Sequence, residues 1–343
     1  MRAVLITLLV LIIGLGAVAG GIWAEYQRFL STPIPVADAQ EIIEIPVGTG
    51  LRQLARELSA RGWIANPWFF IALAYEREAQ RSIKAGEYAV TPGMRPPEML
   101  ALFVSGRSIE FPVSIIEGHT FHDAVATVAG AGPFKIELAD LDEAGIMARL
   151  GIDAEHPEGW LFPDTYRFPR HTTDTRILRR AHARMQQVLA EEWEQRQPGL
   201  PYASPYEALI MASIIEKETG APHERAAIAG VFVRRLQKGM RLQTDPTVIY
   251  GLGDDFDGTI RRSDLDRPTP YNTYVIFGLP PTPIALPGRA AIHAALNPAD
   301  GDTLYFVSRR DGTHHFSATL AEHNCAVRHY LRGRPCAELV EQP

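Results

Sequence analysis

The sequence predicts an α+β protein with a single N-terminal transmembrane helix, a small α+β module and a larger α+β domain. Three observations support this prediction: an uncharged apolar stretch at the N-terminus, short strand and helix patterns after it, and longer helical patterns in the second half. The chain has 343 residues, of which 46% are hydrophobic and 22% charged. This composition is ordinary for globular proteins and allows more than one hydrophobic core.

Residues 3–24 carry no charged side chain, and we expect residues 1–24 to form a transmembrane anchor. A helix of about 22 residues is about 33 Å long, and a bilayer's hydrocarbon core is about 30 Å thick. A cleaved signal peptide is the alternative, although its apolar core is usually only about 7 to 15 residues long. Arg2 precedes the stretch and Arg28 follows it, so charge gives little orientation signal, and a large outer domain is the simpler topology.

Residues 25–40 contain two prolines and are predicted to form a stalk. Residues 41–115 are predicted to form the small module: "EIIEI" reads as a strand, "LRQLARELSARG" and "PWFFIALAYERE" as helices, and "AGEYAV" as a second strand. This order resembles the LysM-like modules that bind peptidoglycan glycan chains. Any small α+β module could share the order, so carbohydrate binding stays open.

Charge and residue types exclude some functions. The net charge is −6, and no Lys/Arg cluster is present, so we expect no nucleic-acid partner. The histidines and cysteine of "THHFSATLAEHNC" lack a known zinc spacing, and we expect neither a metal nor another cofactor. Cys325 and Cys336 could pair in an oxidising compartment, but two thiols in a sequence do not establish a bridge.

The segment "SPYEALIMASIIEKET" predicts a buried helix that ends in two carboxylates. Ser204 is suited to the N-cap and Pro205 to the first helical position, and Gly220 is placed to stop the helix. Helical spacing directs Glu216 and Glu218 to different sides, so they do not form a close pair.

Burial and the negative end of the helix both favour a protonated carboxyl at its last turn. A glutamic acid protonated near neutral pH is what general-acid cleavage of a glycosidic bond requires. Charged residues in a last helical turn are more often solvated, however. Chemistry alone therefore leaves a surface role open for both Glu216 and Glu218.

Six segments together resemble the signature stretches of the endolytic murein transglycosylase family, of the MltG or YceG-like type. In chain order they are "EGWLFPDTYRF", "MASIIEKET", "RLQTDPTVIYG", "YNTYVIFGLPPTPIALPG", "ALNPADGDTLYFV" and "HHFSATLAEHN". The resemblance extends from the anchor to about Tyr330.

The resemblance implies a membrane-anchored enzyme that cuts nascent peptidoglycan strands internally, between N-acetylmuramic acid (MurNAc) and N-acetylglucosamine (GlcNAc), and so limits strand elongation. One glutamate protonates the glycosidic oxygen and then accepts the proton of the muramoyl C6 hydroxyl, which closes onto C1. The product carries a 1,6-anhydro end.

The pair Glu218–Thr219 resembles the "ES" signature of other lytic transglycosylases, so Glu218 is the predicted general acid and base, with Glu216 as the runner-up. Two alternatives stay open: a non-catalytic, membrane-anchored peptidoglycan-binding scaffold, and a lysozyme-type hydrolase that uses Glu218 and Asp245. A further interpretation places Asp245 in an Asp-Pro turn, in which its carboxylate accepts hydrogen bonds from backbone amides. The residues predicted to bind substrate are Gln243, Thr244, Asp245, Tyr250, Tyr271 and Asn272.

These predictions give residues 116–340 as the catalytic transglycosylase domain. The resemblance implies a single-pass protein of the inner (cytoplasmic) membrane, with the catalytic domain on the outer, periplasmic side. The expected partners are peptidoglycan glycan strands and the membrane, and the resemblance adds peptidoglycan synthases.

Overall fold

The structure, a computed structural model, describes residues 2–36 and 39–336. The chain divides into two compact units, of which the first comprises Met1–Phe111 with Arg167–His171 and the second Pro112–Tyr166 with Thr172–Pro343. The predicted end of the small module at residue 115 lies close to the division after Phe111. The α+β fold class is confirmed.

The first unit begins with the long helix α1 (Arg2–Ser31). Its segment Leu5–Ser31 is long and apolar enough to cross a membrane, and its most apolar window is not buried by other parts of the protein. An isolated helix with this composition fits a single-pass membrane anchor.

After α1 the first unit contains strand β1 (Glu41–Ile45), helices α2 (Leu51–Ala60) and α3 (Pro67–Glu76), strand β2 (Gly86–Val90) and helix α4 (Pro96–Ser105). The strands pair antiparallel, with Ile43 opposite Tyr88, and both of these side chains are fully buried. The predicted order of strand, two helices and strand is confirmed. Carbohydrate binding by this module stays a prediction.

The segment predicted to be a stalk is partly helical and partly buried in its described residues. Helix α1 continues to Ser31, and Phe29 and Ile34 are 8% and 2% exposed in the core of the first unit. Because these apolar side chains pack on the module, residues 29–34 do not act as an extended linker. Residues 37 and 38 of the predicted stalk lie outside the described residues.

The other helices and strands frame the larger core. In chain order they are β3 (Glu110–Ser114), α5 (Phe121–Gly130), α6 (Glu143–Leu150), β4 (Thr165–Pro169), α7 (Asp174–Glu194), α8 (Pro205–Glu218), α9 (Arg225–Gln237), α10 (Asp245–Leu252), α11 (Arg262–Asp266), α12 (Arg289–Leu296), β5 (Tyr305–Ser308), β6 (His314–Ser317) and α13 (Leu320–Ala326). Strand β3 pairs with β4, and β5 with β6. Helix α8 is central and packs against α7, α9, α10 and α12.

Helix α8 forms as its sequence predicts. The Ser204 hydroxyl accepts a hydrogen bond from the Glu207 amide at 3.4 Å, and every residue from Ala208 to Ile215 is buried. The predicted stop differs, because Thr219 is extended (φ −136°, ψ 134°) and already ends the helix at Glu218. The φ angle of Gly220 is not positive, so this glycine does not form a left-handed cap.

The C-terminal part consists of the β5–β6 hairpin, α13 and a π-helical turn at Val327–Leu331. Cys325 and Cys336 form a disulfide, with Cα atoms 5.6 Å apart. This pairing, which the sequence left open, ties the chain after the π-helical turn to α13.

Candidate active site

A cavity of about 550 Å³ lies in the second unit, where the last turn of α8 meets the start of α10, the β5–β6 hairpin and α13. Its ionisable and hydrogen-bonding lining includes Glu218, Arg235, Asp245, Tyr274, His314 and His323. Gln243 also lines it. The structure therefore brings Glu218 together with two of the residues predicted to bind substrate.

Within the described residues, one of the two carboxyl oxygens of Glu218 accepts a hydrogen bond and the other does not. The Thr244 hydroxyl donates to Glu218 Oε2 at 2.5 Å, and Thr244 is 2% exposed. Among the described residues, Glu218 Oε1 has no hydrogen-bond partner. Glu218 lines the cavity, so its carboxyl group borders the space that a bound molecule would occupy.

The surroundings of Glu218 favour its neutral form. Burial, which disfavours the charged carboxylate, raises the pKa of Glu218 above its ordinary value, and the negative charge of Asp245 raises it further. The Thr244 hydrogen bond and the positive charges of His314 and Arg235 lower it, but they do not outweigh burial. The site thus contains a carboxyl group that keeps its proton at a higher pH than an exposed glutamate.

Asp245 is the first residue of α10 and is exposed to the cavity. Its Oδ1 accepts a hydrogen bond from the Tyr274 hydroxyl at 2.6 Å. The sequence-based alternative was a turn in which this carboxylate holds backbone amides. A tyrosine hydroxyl is the partner of its side chain instead.

Arg235 on α9 is a cavity residue that the sequence did not reveal. It is 7% exposed, and it donates from Nε to the Leu304 carbonyl at 2.6 Å and from Nη1 to the Leu242 carbonyl at 2.8 Å. These carbonyls hold a positive charge near Glu218, where it lowers the pKa of the carboxyl and stabilises the carboxylate once the proton has left.

His314 and Glu224 form a second group that the sequence reasoning missed. The carboxylate of Glu224, which is 6% exposed, accepts from the His314 amide and lies 2.8 Å from His314 Nδ1. Because a carboxylate only accepts, His314 Nδ1 carries the proton of this hydrogen bond. The available signal was the segment "HHFSATLAEHN", which contains His314 and is one of the six stretches that resemble the family.

Glu216 lies on another side of α8 and contacts other elements. Its Oε2 accepts from the Gly288 amide at 2.9 Å, directly before α12, and its Oε1 lies 3.4 Å from Arg225 Nη2. The Glu216 side chain is only 6% exposed. These contacts support a structural role, in which Glu216 joins the end of α8 to the start of α12.

Tyr250, Tyr271 and Asn272 are not among the residues that line the Glu218 cavity. Asn272 is 1% exposed, and its amide nitrogen donates to backbone carbonyls at the end of α11 and at Arg267 directly after it, so it holds the end of this helix. The rings of Tyr250 and Tyr271 pack edge to face at 4.9 Å. Their contact with substrate stays a prediction.

Tyr250 instead contacts Glu158, a buried acid of the "EGWLFPDTYRF" segment. The Tyr250 hydroxyl donates to Glu158 Oε2 at 3.2 Å, and the Phe121 amide donates to Oε1 at 2.8 Å. Glu158 is 3% exposed, and burial raises its pKa to about 7. Glu158 therefore joins α10 to the start of α5.

A second cavity, of about 540 Å³, lies at the opposite end of α8 beside Ser204 and Glu207. The Glu207 carboxylate there accepts from the Ala203 amide at 2.6 Å. The Glu218 cavity is the better candidate, because it combines a carboxyl group whose pKa is raised by burial, a second acidic side chain and a buried arginine. Because Cys325 is in a disulfide, it does not offer a thiolate as a metal ligand.

Comparisons with known proteins add independent information. The YceG-like family model matches residues 43–329. A protein of Bacillus subtilis (strain 168) named endolytic murein transglycosylase is 31% identical over 327 residues, which cover 90% of either chain. A protein of the same name from Streptococcus pneumoniae serotype 2 (strain D39) is 26% identical over 360 residues, covering 92% of this chain and 63% of the relative.

Among solved structures, the crystal structure of a yceG-like protein from Listeria monocytogenes is similar in fold. The TM-score is 0.52 and the sequence identity 29%. The match covers 84% of this chain and 99% of that chain. It therefore includes most of the two units described above.

Proposed function

The chain belongs to the YceG-like family, and on this premise we propose that it is an endolytic peptidoglycan lytic transglycosylase. It cleaves the bond between MurNAc and GlcNAc inside nascent glycan strands, leaves 1,6-anhydroMurNAc ends and thereby limits strand elongation. The observation that carries the proposal is the carboxyl of Glu218, which lines a cavity and whose pKa is raised by burial. The relatives named endolytic murein transglycosylase supply the substrate class.

In the first step Glu218 acts as the general acid. Its proton passes to the glycosidic oxygen, and the bond from MurNAc C1 to that oxygen breaks with the electron pair moving to oxygen. Positive charge then develops at C1 and the ring oxygen. The resulting Glu218 carboxylate is stabilised by the Thr244 hydroxyl and by the positive charge of Arg235.

In the second step Glu218 acts as the general base. The C6 hydroxyl oxygen of the same MurNAc attacks C1, and its proton passes to the Glu218 carboxylate, which returns to its starting form. One carboxyl group serves both steps, and water is not consumed. A hydrolase needs a second carboxylate as nucleophile or to activate water. The Asp245 carboxylate already accepts a hydrogen bond from the Tyr274 hydroxyl, which supports the single-carboxyl reaction.

The proposal includes a location. Helix α1 anchors the protein in the inner membrane, and the second unit lies on the outer, periplasmic side, where its substrate is. The Cys325–Cys336 disulfide supports this orientation, because such bonds persist in oxidising compartments. Association with peptidoglycan synthases stays an expectation from the family resemblance.

The test is the mass of the cleavage products. The full-length protein in detergent is incubated with uncrosslinked glycan strands, and the fragments are identified by mass spectrometry. We expect internal cuts whose two fragments sum to the mass of the substrate, because a 1,6-anhydro end forms without added water. Fragments that together exceed the substrate by one water would indicate a hydrolase with Asp245 as the second carboxylate. Glycan binding without any cleavage would indicate a scaffold.

A further inference from the structure

Beyond its uncharged apolar stretch, helix α1 packs directly on the small module. The rings of Tyr26 and Phe29 lie 5.6 and 5.7 Å from the ring of Phe69, and the Tyr26 hydroxyl donates to Glu76 at 2.5 Å. Phe29 follows Ala24, the last residue of the uncharged stretch, by about 8 Å along the helix axis. Because α1 is continuous, these contacts hold the module next to the end of the uncharged stretch.

A cavity of about 570 Å³ lies beside these contacts, between the end of α1 and the connection from α2 to α3. Its apolar lining includes Phe29, Trp63, Ile64 and Phe69. The bilayer surface is thus the nearest source of a molecule that could fill it.

Two opposite charges from α1 line the same cavity. Glu25 and Arg28 are three residues apart, which places them on one face of the helix. Both side chains are exposed, and within residues 2–36 and 39–336 neither forms an ion pair or a side-chain hydrogen bond. The cavity therefore presents one free cation and one free anion beside an apolar floor.

Two exposed tryptophan side chains lie on α1 and α3. Trp23 on α1 is 62% exposed, and Trp68, next to Phe69 on α3, is 65% exposed. Tryptophan is enriched where a protein meets the headgroup layer of a membrane. These rings agree with a position of this part of the first unit at the bilayer surface.

We propose that this cavity is a phospholipid site that selects a zwitterionic headgroup with a primary ammonium, as in phosphatidylethanolamine. Arg28 binds the phosphate, Glu25 binds the ammonium, and the glycerol and upper acyl carbons cover Phe29, Ile64 and Phe69. The bilayer that α1 crosses supplies this lipid, and the charges of Arg28 and Glu25 are opposite in sign to those of its phosphate and its ammonium. The inference rests on the membrane anchor and the first unit, and it is independent of the chemistry at Glu218.

The test measures lipid retention by the full-length protein. The chain is reconstituted in nanodiscs of phosphatidylethanolamine, phosphatidylcholine or phosphatidylglycerol, extracted into mild detergent, and examined by native mass spectrometry for bound lipid. We expect retained phosphatidylethanolamine, and less of the other two lipids. Arg28→Gln should reduce its retention about tenfold, because a charge-assisted hydrogen bond is lost. Glu25→Gln should abolish the preference over phosphatidylglycerol.

Arg56→Gln is the matched control, because Arg56 is an exposed arginine of the same unit that does not line the cavity. It should retain lipid like the unchanged protein. Equal retention by Arg28→Gln and Arg56→Gln would overturn the proposal. A wild-type preference for phosphatidylglycerol would do so as well, because it would show that Glu25 does not contact the headgroup.

Discussion

Three consecutive charged residues at the end of α8 have three separate partners. Glu216 accepts from the Gly288 amide, Lys217 donates to the Gly118 carbonyl, and Glu218 accepts from the Thr244 hydroxyl. Successive residues of a helix point about 100° apart, so adjacent side chains reach different environments. We therefore expect the acid-base chemistry at one position, Glu218, while its neighbours hold the end of the helix in place.

The hydrogen bond from Thr244 lowers the pKa of Glu218, so its removal should raise that pKa further. Cleavage needs the protonated carboxyl, and activity is lost as pH rises through its pKa. For Thr244→Val we therefore predict that the alkaline limb of the pH–activity profile moves to higher pH. Thr247→Val is the control, because Thr247 is also buried but bonds to Thr244 O and Thr273 rather than to Glu218. If the alkaline limb of Thr244→Val fell at the same pH as that of the unchanged protein, this account would be contradicted.

Glu158 gives a prediction about stability. Its folded-state pKa is about 7 against an ordinary value of 4.5, so the folded state binds the proton more tightly than the unfolded state. Stability should fall as pH rises from about 4.5 to about 7, by at most about 3 kcal/mol, and then level off. The neutral amide of Glu158→Gln cannot lose a proton in this range. Thermal unfolding across this pH range should show a shallower slope in the variant, and equal slopes would contradict the assignment.

At the scale of elements, the cavity is made by the end of α8, the start of α10 and the C-terminal hairpin with α13. Helical periodicity predicted α8 and the side to which Glu218 points, because this information is local. The "LQTDPTVIYG" segment gave Gln243, Thr244 and Asp245, which the structure places beside Glu218.

Other parts of the site depend on contacts between distant segments. Arg235 is held by the Leu304 carbonyl, and His314 is held by Glu224, about 70 and 90 residues away in sequence. A single sequence does not show which loops meet, so these residues were missed. Asn272 was included by its nearness to Tyr271 in one motif, but its side chain turns toward its own loop.

Helix α9, which carries Arg235, packs closely at Gly230. A Cβ atom at this position would lie 2.5 Å from the Ala299 carbonyl oxygen. Glycine to alanine inside a helix usually stabilises by about 1 kcal/mol, but the clash should reverse the sign. For Gly230→Ala we predict a loss of about 2 kcal/mol in thermal or denaturant unfolding.

Gly130→Ala is the control for Gly230→Ala. Gly130 ends α5, its φ is not positive, and a Cβ atom there would have no neighbour within 4 Å. This change should be neutral or stabilising. A Gly230→Ala protein at least as stable as Gly130→Ala would show that the α9 contact is not close.

At the scale of the whole molecule, the chain combines a membrane helix with two compact units. The sequence predicted the long N-terminal apolar helix and the α+β class well, because both are encoded in composition and short periodic patterns. It did not predict that residues 29–34 pack on the module, since prolines near the membrane also suit a free stalk. The disulfide required three-dimensional placement of Cys325 and Cys336.

If residues 1–24 form an uncleaved membrane anchor, the protein extracted from membranes should retain them. Intact mass spectrometry of the membrane fraction should give the mass of a chain that keeps this segment, and alkaline carbonate should not release it. A mature chain that lacks the apolar segment and appears in the soluble fraction would instead identify residues 1–24 as a cleaved signal peptide.

The most direct test of the central claim compares Glu218→Gln with Glu216→Gln in the full-length protein, with glycan fragments measured by mass spectrometry and folding checked by circular dichroism. Loss of general acid-base catalysis should reduce cleavage by Glu218→Gln by about 10² to 10⁴-fold in a folded protein. Glu216→Gln should keep the 1,6-anhydro products and lose thermal stability, because its contact with the start of α12 is weakened. Full activity in Glu218→Gln, or specific loss in a folded Glu216→Gln, would contradict the assignment of Glu218 as the acid and base.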